Sequence, residues 1–154
     1  MDDLYIFLWL RKILFWWQQI QSMKKILILG MGNSCRSQMA EGYLKSFCGE
    51  KAEVFSAAYD PQGINALAKA SMQEDEIDMD SHYSNHIVEY LDQDFDFVVT
   101  VSNRAQKVMP KFSKQTMLVH KHFKDITNTK GVPQSIAQTF KMTREEIKLS
   151  LIHI

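Results

Sequence analysis

The stretch from Lys24 to Cys48 constrains this chain more than any other. Lys25-Ile26-Leu27-Ile28-Leu29 sets four apolar residues in a row between a lysine and a glycine. A continuous apolar run this short suits a strand buried on both faces of a parallel sheet. Gly30-Met31-Gly32-Asn33-Ser34-Cys35-Arg36 follows as a loop, and Ser37 to Phe47 reads as a helix. The two glycines, Asn33 and Ser34 let the backbone turn tightly, with amides free to point inward. Because the loop opens a helix, its N–H groups and the positive end of the helix dipole converge on one spot, which suits an anion. Arg36 adds a planar fork of donors matched to phosphate-like oxyanions. Strand, loop and helix in this order predict a cradle for a tetrahedral anion.

A chain of 154 residues is expected to form one main domain, burying about 68–70% of its unfolded surface. Its 18 Lys and Arg balance 18 Asp and Glu, so no global field argues for a nucleic-acid partner. The charge is nevertheless uneven: Glu74 to Asp96 holds acidic residues and no Lys or Arg, whereas Arg104 to Lys148 is mostly basic. Two solvated faces account for this. Cys35 and Cys48 do not suggest a disulfide framework. With no secretory pattern either, a cytoplasmic location is expected.

The first 22 residues differ from the rest. Leu4 to Leu10 and Ile13 to Trp17 are apolar and aromatic, broken by Arg11-Lys12. Neither run reaches the ~20 residues of a spanning helix, and a central charge pair is costly in a bilayer. Asp2-Asp3 and the lack of a small-residue cleavage site argue against a signal peptide. On a helical wheel Ile6, Trp9, Leu10, Ile13, Trp17 and Ile20 share one face; Arg11, Lys12, Gln18 and Gln19 lie roughly opposite, with Leu8 and Phe15 interrupting them. Three readings stay open: a helix contacting a membrane surface through residues 4–20, an extra helix packed on the domain, or an extension translated from upstream of the true start. Met23-Lys24-Lys25 reads as a natural beginning for an α/β domain, so residues 1–22 are set apart from a domain over 23–154.

Strands and helices then alternate. Glu53 to Ala58 reads as the second strand, Asp60-Pro61-Gln62-Gly63 as a turn, and Ile64 to Met72 as a helix with Ile64, Leu67, Ala68 and Met72 on its apolar side. Ser84 to Leu91 suggests a short helix carrying Ile87, Val88 and Leu91. Phe95 to Val101 is the expected third strand, Arg104 to Val108 a helix stopped by Pro110, and Thr116 to His120 the fourth strand. A last helix over about Gln134 to Ile152 presents Ile136, Phe140, Ile147 and Leu151. This alternation predicts a doubly wound parallel sheet with helices on both faces. Its ligand site is expected at the carboxyl ends of the strands, where loops 30–36, 102–110 and 121–133 meet.

Against that background, Ile28-Leu29-Gly30-Met31-Gly32-Asn33-Ser34-Cys35-Arg36-Ser37-Gln38-Met39-Ala40-Glu41-Gly42 resembles the active-site loop of low-molecular-weight protein tyrosine phosphatases. It is closest to their relatives, the thioredoxin-coupled arsenate reductases. Phe55-Ser56-Ala57-Ala58, Asp96 to Val101 and His120 to Asp125 match as well, and the likeness covers roughly Lys24 to Lys148. It implies a three-layer α/β fold with a four-stranded parallel sheet of order 2-1-3-4.

The resemblance carries over unevenly. The family's loop begins with a nucleophilic cysteine and ends with the anion-binding arginine; here the arginine is Arg36, but Gly30 holds the nucleophile's place. Glycine has nothing to attack phosphorus or arsenic with. Ser37 matches the hydroxyl that hydrogen-bonds the thiolate, Asn33 the residue that braces the loop through its amide, and Asp125 the general acid. The proline that usually follows that acid is Ile126. The two further cysteines of the reductases correspond to Ser102 and Met109, which excludes a three-cysteine relay. Cys35 remains, at a helix N-terminus beside Arg36, where a lowered thiol pKa is expected.

The expected function is binding of a phosphate-, arsenate- or sulfate-like anion, or of a phosphorylated ligand, by Gly30, Met31, Gly32, Asn33, Ser34, Cys35 and Arg36. Arg36, Ser37 and Asp125 are the inherited catalytic positions, and catalysis is expected to be lost. The alternative is an enzyme working through Cys35, or through a form with cysteine at position 30. No cofactor is implied. Gly30-Met31-Gly32 lacks the third glycine of a dinucleotide fingerprint and the Gly-Lys-Ser/Thr of a Walker loop. His120 and His122 have no further His or Cys cluster beside them, so no metal site is expected.

Overall fold

Four parallel strands form the spine of the computed structural model, which describes residues 6, 8–14 and 23–153. β1 (Lys24–Gly30) lies between β2 (Ala52–Ala58) and β3 (Phe97–Thr100), and β4 (Met117–His120) extends the sheet beyond β3. The order is therefore β2-β1-β3-β4, as the resemblance implies. Ile28 pairs with both Ser56 and Val99, and Thr100 pairs with His120. Flanked on both sides, Leu27, Ile28 and Leu29 are fully buried, which accounts for their unbroken apolar run.

Side chains alternate across the strand and feed two cores. Ile28 and Val99 pack with Met39 and Tyr43 of α1 (Arg36–Cys48) and with Phe140 and Ile147 of α4 (Pro133–Ile152). Leu27, Leu29 and Val98 pack on the other face with Ile87, Tyr90 and Phe95. Two shorter helices, α2 (Ala66–Gln73) and α3 (Asn103–Lys107), complete the winding.

Local capping moves several expected boundaries. Asn65 Oδ1 accepts from the amides of Leu67 (2.9 Å) and Ala68 (3.2 Å), so α2 starts at Ala66 rather than Ile64. That phase buries Ala68, Ser71 and Met72 and leaves Leu67 46% exposed, against the apolar face expected of it. The segment from Ser84 to Leu91 is not an α-helix. His86 and Glu89 form a reciprocal cap around one 3₁₀ turn, Ile87–Tyr90; Ile87 and Tyr90 are buried, whereas Val88 and Leu91 face solvent.

Residues 8–14 are helical, and Trp9 is 71% exposed. Apart from residue 6, which is also helical, the remainder of the expected helix over 4–20 lies outside the described residues. Among the described residues no helix is long and apolar enough to cross a membrane.

Candidate functional site

The loop after β1 and the first turn of α1 line a cavity of about 180 Å³ at the carboxyl edge of the sheet. Residues 30–37 all border it. Gln62, Asp125, Thr127 and Asn128 close it from neighbouring loops, and Arg104 from the first turn of α3. The expected meeting of loops 30–36, 102–110 and 121–133 is thus observed.

The cradle is made by where the loop's carbonyls go. The Met31, Gly32 and Ser34 carbonyls accept from the amides of Asp60 (3.0 Å), Gln62 (2.9 Å) and Asn65 (3.0 Å). The Asn33 carbonyl accepts from Ser84 Oγ at 2.6 Å, and that of Cys35 accepts from the Met39 amide at 2.8 Å as α1 begins. Five consecutive carbonyls are spoken for. Among the described residues the amides of 32–35 have no protein acceptor, and the first amides of a helix lack one by geometry. Alternate faces of one loop therefore separate acceptors from donors, and the donors are left for a ligand.

The backbone turn differs from expectation in one respect. Neither Gly30 nor Gly32 has a positive φ; the left-handed residue is Asn33, at φ 46°, a conformation that asparagine tolerates better than most. The glycines matter through close approach instead. A β-carbon on Gly32 would stand 3.0 Å from the Gln62 side chain, and one on Gly30 would stand 2.8 Å from Ser37 Oγ.

Ser37 Oγ donates to Asn33 Oδ1 at 2.8 Å, with both residues buried. Asn33 is thus tied to α1 through its side-chain oxygen, while its buried Nδ2 has no partner among the described residues.

Arg36, 11% exposed at its side chain, donates through Nη1 to the Phe123 carbonyl at 2.8 Å and pairs through Nη2 with Asp125 Oδ1 at 3.3 Å. Asp125 also accepts from the Thr127 amide (3.1 Å) and hydroxyl (2.8 Å). Partial burial pushes the Asp125 carboxyl up, but Thr127, Arg36 and Arg104 outweigh it and hold it below the usual carboxylate range. The carboxyl expected to act as an acid is therefore an anion paired with Arg36.

Cys35 overturns the expectation of a lowered thiol pKa. Its side chain is 3% exposed and sits in the core with Met39 and Phe123. Burial pushes the thiol up; the hydroxyls of Ser34 and Thr127 and the charge of Arg36 act the other way without cancelling it. Ser102 Oγ caps α3 by accepting from the Ala105 amide at 3.2 Å, and Met109 packs on the second core. His120 is held at both ring nitrogens, by Thr100 Oγ1 (2.8 Å) and Asn103 Oδ1 (3.0 Å), in keeping with a structural role.

Arg104, Gln62, Thr127 and Asn128 were not expected at the site. Arg104, from the first turn of α3, and Thr127 and Asn128 fall within the segments 102–110 and 121–133 expected to converge there, whereas nothing in the sequence pointed to Gln62.

Comparison with known proteins gives a consistent picture. The family profile described as "Low molecular weight phosphotyrosine protein phosphatase" matches residues 25–152. The arsenate reductase of Halalkalibacterium halodurans is 37% identical over 124 residues, covering 80% of this chain and 89% of that protein. That of Staphylococcus aureus strain N315 is 34% identical over 128 residues, covering 83% and 93%. A solved arsenate reductase in its phosphate-binding state superposes with a TM-score of 0.72 at 26% identity, over 85% of this chain and 95% of that one. Vibrio vulnificus Wzb, solved with benzylphosphonate, shares the fold at a TM-score of 0.71 and 18% identity, over 86% and 97%.

Proposed function

We propose, since this chain belongs to the low molecular weight phosphotyrosine protein phosphatase family, that it binds a free phosphate- or arsenate-like oxyanion in the 30–36 loop and does not turn it over. The observation that carries this reading is a loop whose five carbonyls are bonded elsewhere, which leaves its amides facing a cavity bordered by Arg36 and Gly30; by the resemblance, Gly30 stands at the nucleophile's position and supplies no attacking atom. A solved relative holds phosphate and a fold neighbour holds a phosphonate, so the ligand chemistry is in keeping with the family.

The lining favours an inorganic anion over an aryl phosphate. Among the described residues that border the cavity none is aromatic, whereas Arg36, Arg104, Asn33, Gln62, Thr127 and Asn128 all carry polar groups. Without a ring to stack on, an ester's aryl group gains little there. In this reading the loop amides and Arg36 hold the anion, with Arg104 adding positive charge. Asp125 gives up its pairing with Arg36 as the ligand arrives. Catalysis through Cys35 is disfavoured by its burial and raised pKa. Two free cysteines suit a cytoplasmic location.

Calorimetric titration with phosphate and with arsenate tests binding, and p-nitrophenyl phosphate tests turnover. Millimolar or tighter binding is expected, with loss of most affinity in Arg36→Ala and no hydrolysis above background. Gly30→Cys is expected to gain hydrolysis. An Arg36→Ala variant that binds equally well, or turnover by the unmodified chain that vanishes in Cys35→Ser, would sink the proposal.

A further inference from the structure

The opposite edge of the sheet carries a second cavity, of about 570 Å³, whose chemistry is the reverse of the first. Ile26 of β1, Phe97 of β3, Leu44, Phe47 and Cys48 of α1 and Leu151 of α4 bound it. Its volume is within the ~300–1,000 Å³ of pockets that hold drug-sized groups. It opens at the amino-terminal ends of the strands, away from Arg36, so nothing in oxyanion binding uses it. Lys24, the first residue of β1, is part of its lining.

Among the described residues, those on the amino side of Lys24 carry an exposed apolar surface. Residues 8–14 are helical, and Trp9 (71% exposed) and Leu14 (63%) lie in open solvent along with Ile6, Leu10 and Ile13. At helical spacing these five residues share one side, and Arg11 and Lys12 lie on the other with Leu8. Contiguous apolar surface of this kind usually marks a contact.

We propose that this helix docks onto the second cavity of its own molecule, apolar side inward, with Trp9 and Ile13 covering Ile26, Phe47 and Leu151. Three observations carry the choice of occupant. The tether is short and ends at the cavity: nine residues separate Leu14 from Lys24, a reach of at most roughly 30 Å. A linker of that length gives an effective concentration in the millimolar range, above that of any second copy at ordinary protein concentrations. Charge agrees as well. Docking by the apolar side turns Arg11 and Lys12 away from Lys24 and Lys51 of the lining, whereas the opposite orientation would bring four cations together.

The chain contains its own probes. Cys48 lines the cavity and is half-exposed, and Cys35 is buried and out of competition. Ile13→Cys in the full chain is expected to form an intramolecular disulfide with Cys48 under mild oxidation. Lys12→Cys, on the opposite side, is expected to do so at least ~10-fold more slowly, given the effective concentration of a docked pair. All three tryptophans, Trp9, Trp16 and Trp17, lie in the first 17 residues, so their emission reports on this segment alone. That emission is expected to be blue-shifted in the native protein and to move red in Ala52→Phe, which fills the cavity. Equal cross-linking of the two cysteine variants, disulfides only between molecules, or emission unchanged by Ala52→Phe would each overturn the proposal. So would emission that turns blue only on adding phosphatidylserine vesicles, which would assign the helix to a membrane surface instead.

Discussion

The hydroxyl oxygen of Ser37 lies 2.8 Å from the point where a β-carbon on Gly30 would stand, and the Ser37 β-carbon lies 3.2 Å from it. Real β-carbons do not tolerate the first of these distances, and Ser37 is not a flexible chain end, because its hydroxyl is fixed on Asn33. A side chain at position 30 therefore fits only if the Ser37 hydroxyl turns off Asn33.

Gly30→Ala is therefore expected to lower stability by about 1–3 kcal/mol, the usual cost of overpacking a buried site. Ser37→Ala is expected to cost about as much alone, since it leaves Asn33 Oδ1 buried without its donor. Combined, the two should cost less than their sum, because the second removes the oxygen that the first strikes. Urea unfolding of the single and double variants measures this. Additivity within ~0.3–0.5 kcal/mol would mean that the two sites do not interact.

In the proposed reading Asp125 competes with the anion for Arg36. Removing its charge in Asp125→Asn is expected to tighten phosphate binding a few-fold, since an ion pair whose carboxylate is 64% exposed contributes about 0.2–1 kcal/mol. The gain should shrink in high salt. Calorimetry at two ionic strengths reads both effects, and weaker binding by Asp125→Asn would show that the carboxylate helps to hold the ligand rather than opposing it.

His82 makes stability depend on pH. Its side chain is 4% exposed, and Nδ1 lies 2.9 Å from Gln38 Oε1 and 4.0 Å from Glu41 Oε2. Gln38 Oε1 can only accept, so Nδ1 carries the proton of a neutral ring. Burial lowers its pKa below the ordinary 6.5, with Lys45 acting the same way and Glu41 and Asp78 opposing. Below pH 6.5 the unfolded chain therefore binds the proton before the folded one does, and stability falls as pH falls through that window. The slope is bounded by about 1.4 kcal/mol per pH unit for one proton. Asp75, Asp96 and Asp125, all with lowered pKa values, act only at more acid pH. The urea midpoint is expected to drop between pH 7 and pH 5, and His82→Gln is expected to flatten that drop. An unchanged slope in the variant would place the proton elsewhere.

Much of the site was legible because its determinants are consecutive. The run from Ile26 to Arg36 encodes a buried strand, a turn and a helix start, and the match to a known loop then located Asp125 nearly ninety positions away. Errors arose where a residue's surroundings are assembled from distant parts. Cys35 has a helix terminus and an arginine beside it in sequence, both of which lower a thiol pKa. The core that raises it comes from Met39 and from Phe123 on another loop. Leu67 fits an apolar periodicity, yet the Asn65 cap fixed the phase of α2 and left it outside. Gly30 could be read as a missing nucleophile, but not that Ser37 had taken up its space.

The carbonyls of Met31, Gly32, Asn33 and Ser34 are tied to residues 60–65 and Ser84 by bonds that involve neither a ligand nor a side chain at position 30. The loop's shape accordingly depends on no ligand, and in the proposed reading little ordering entropy is left to set against an anion's affinity. In the proposed reading, recognition and reaction are thus separable: the bonds that hold the receptor's shape run through backbone carbonyls and would outlast any change of side chain at position 30.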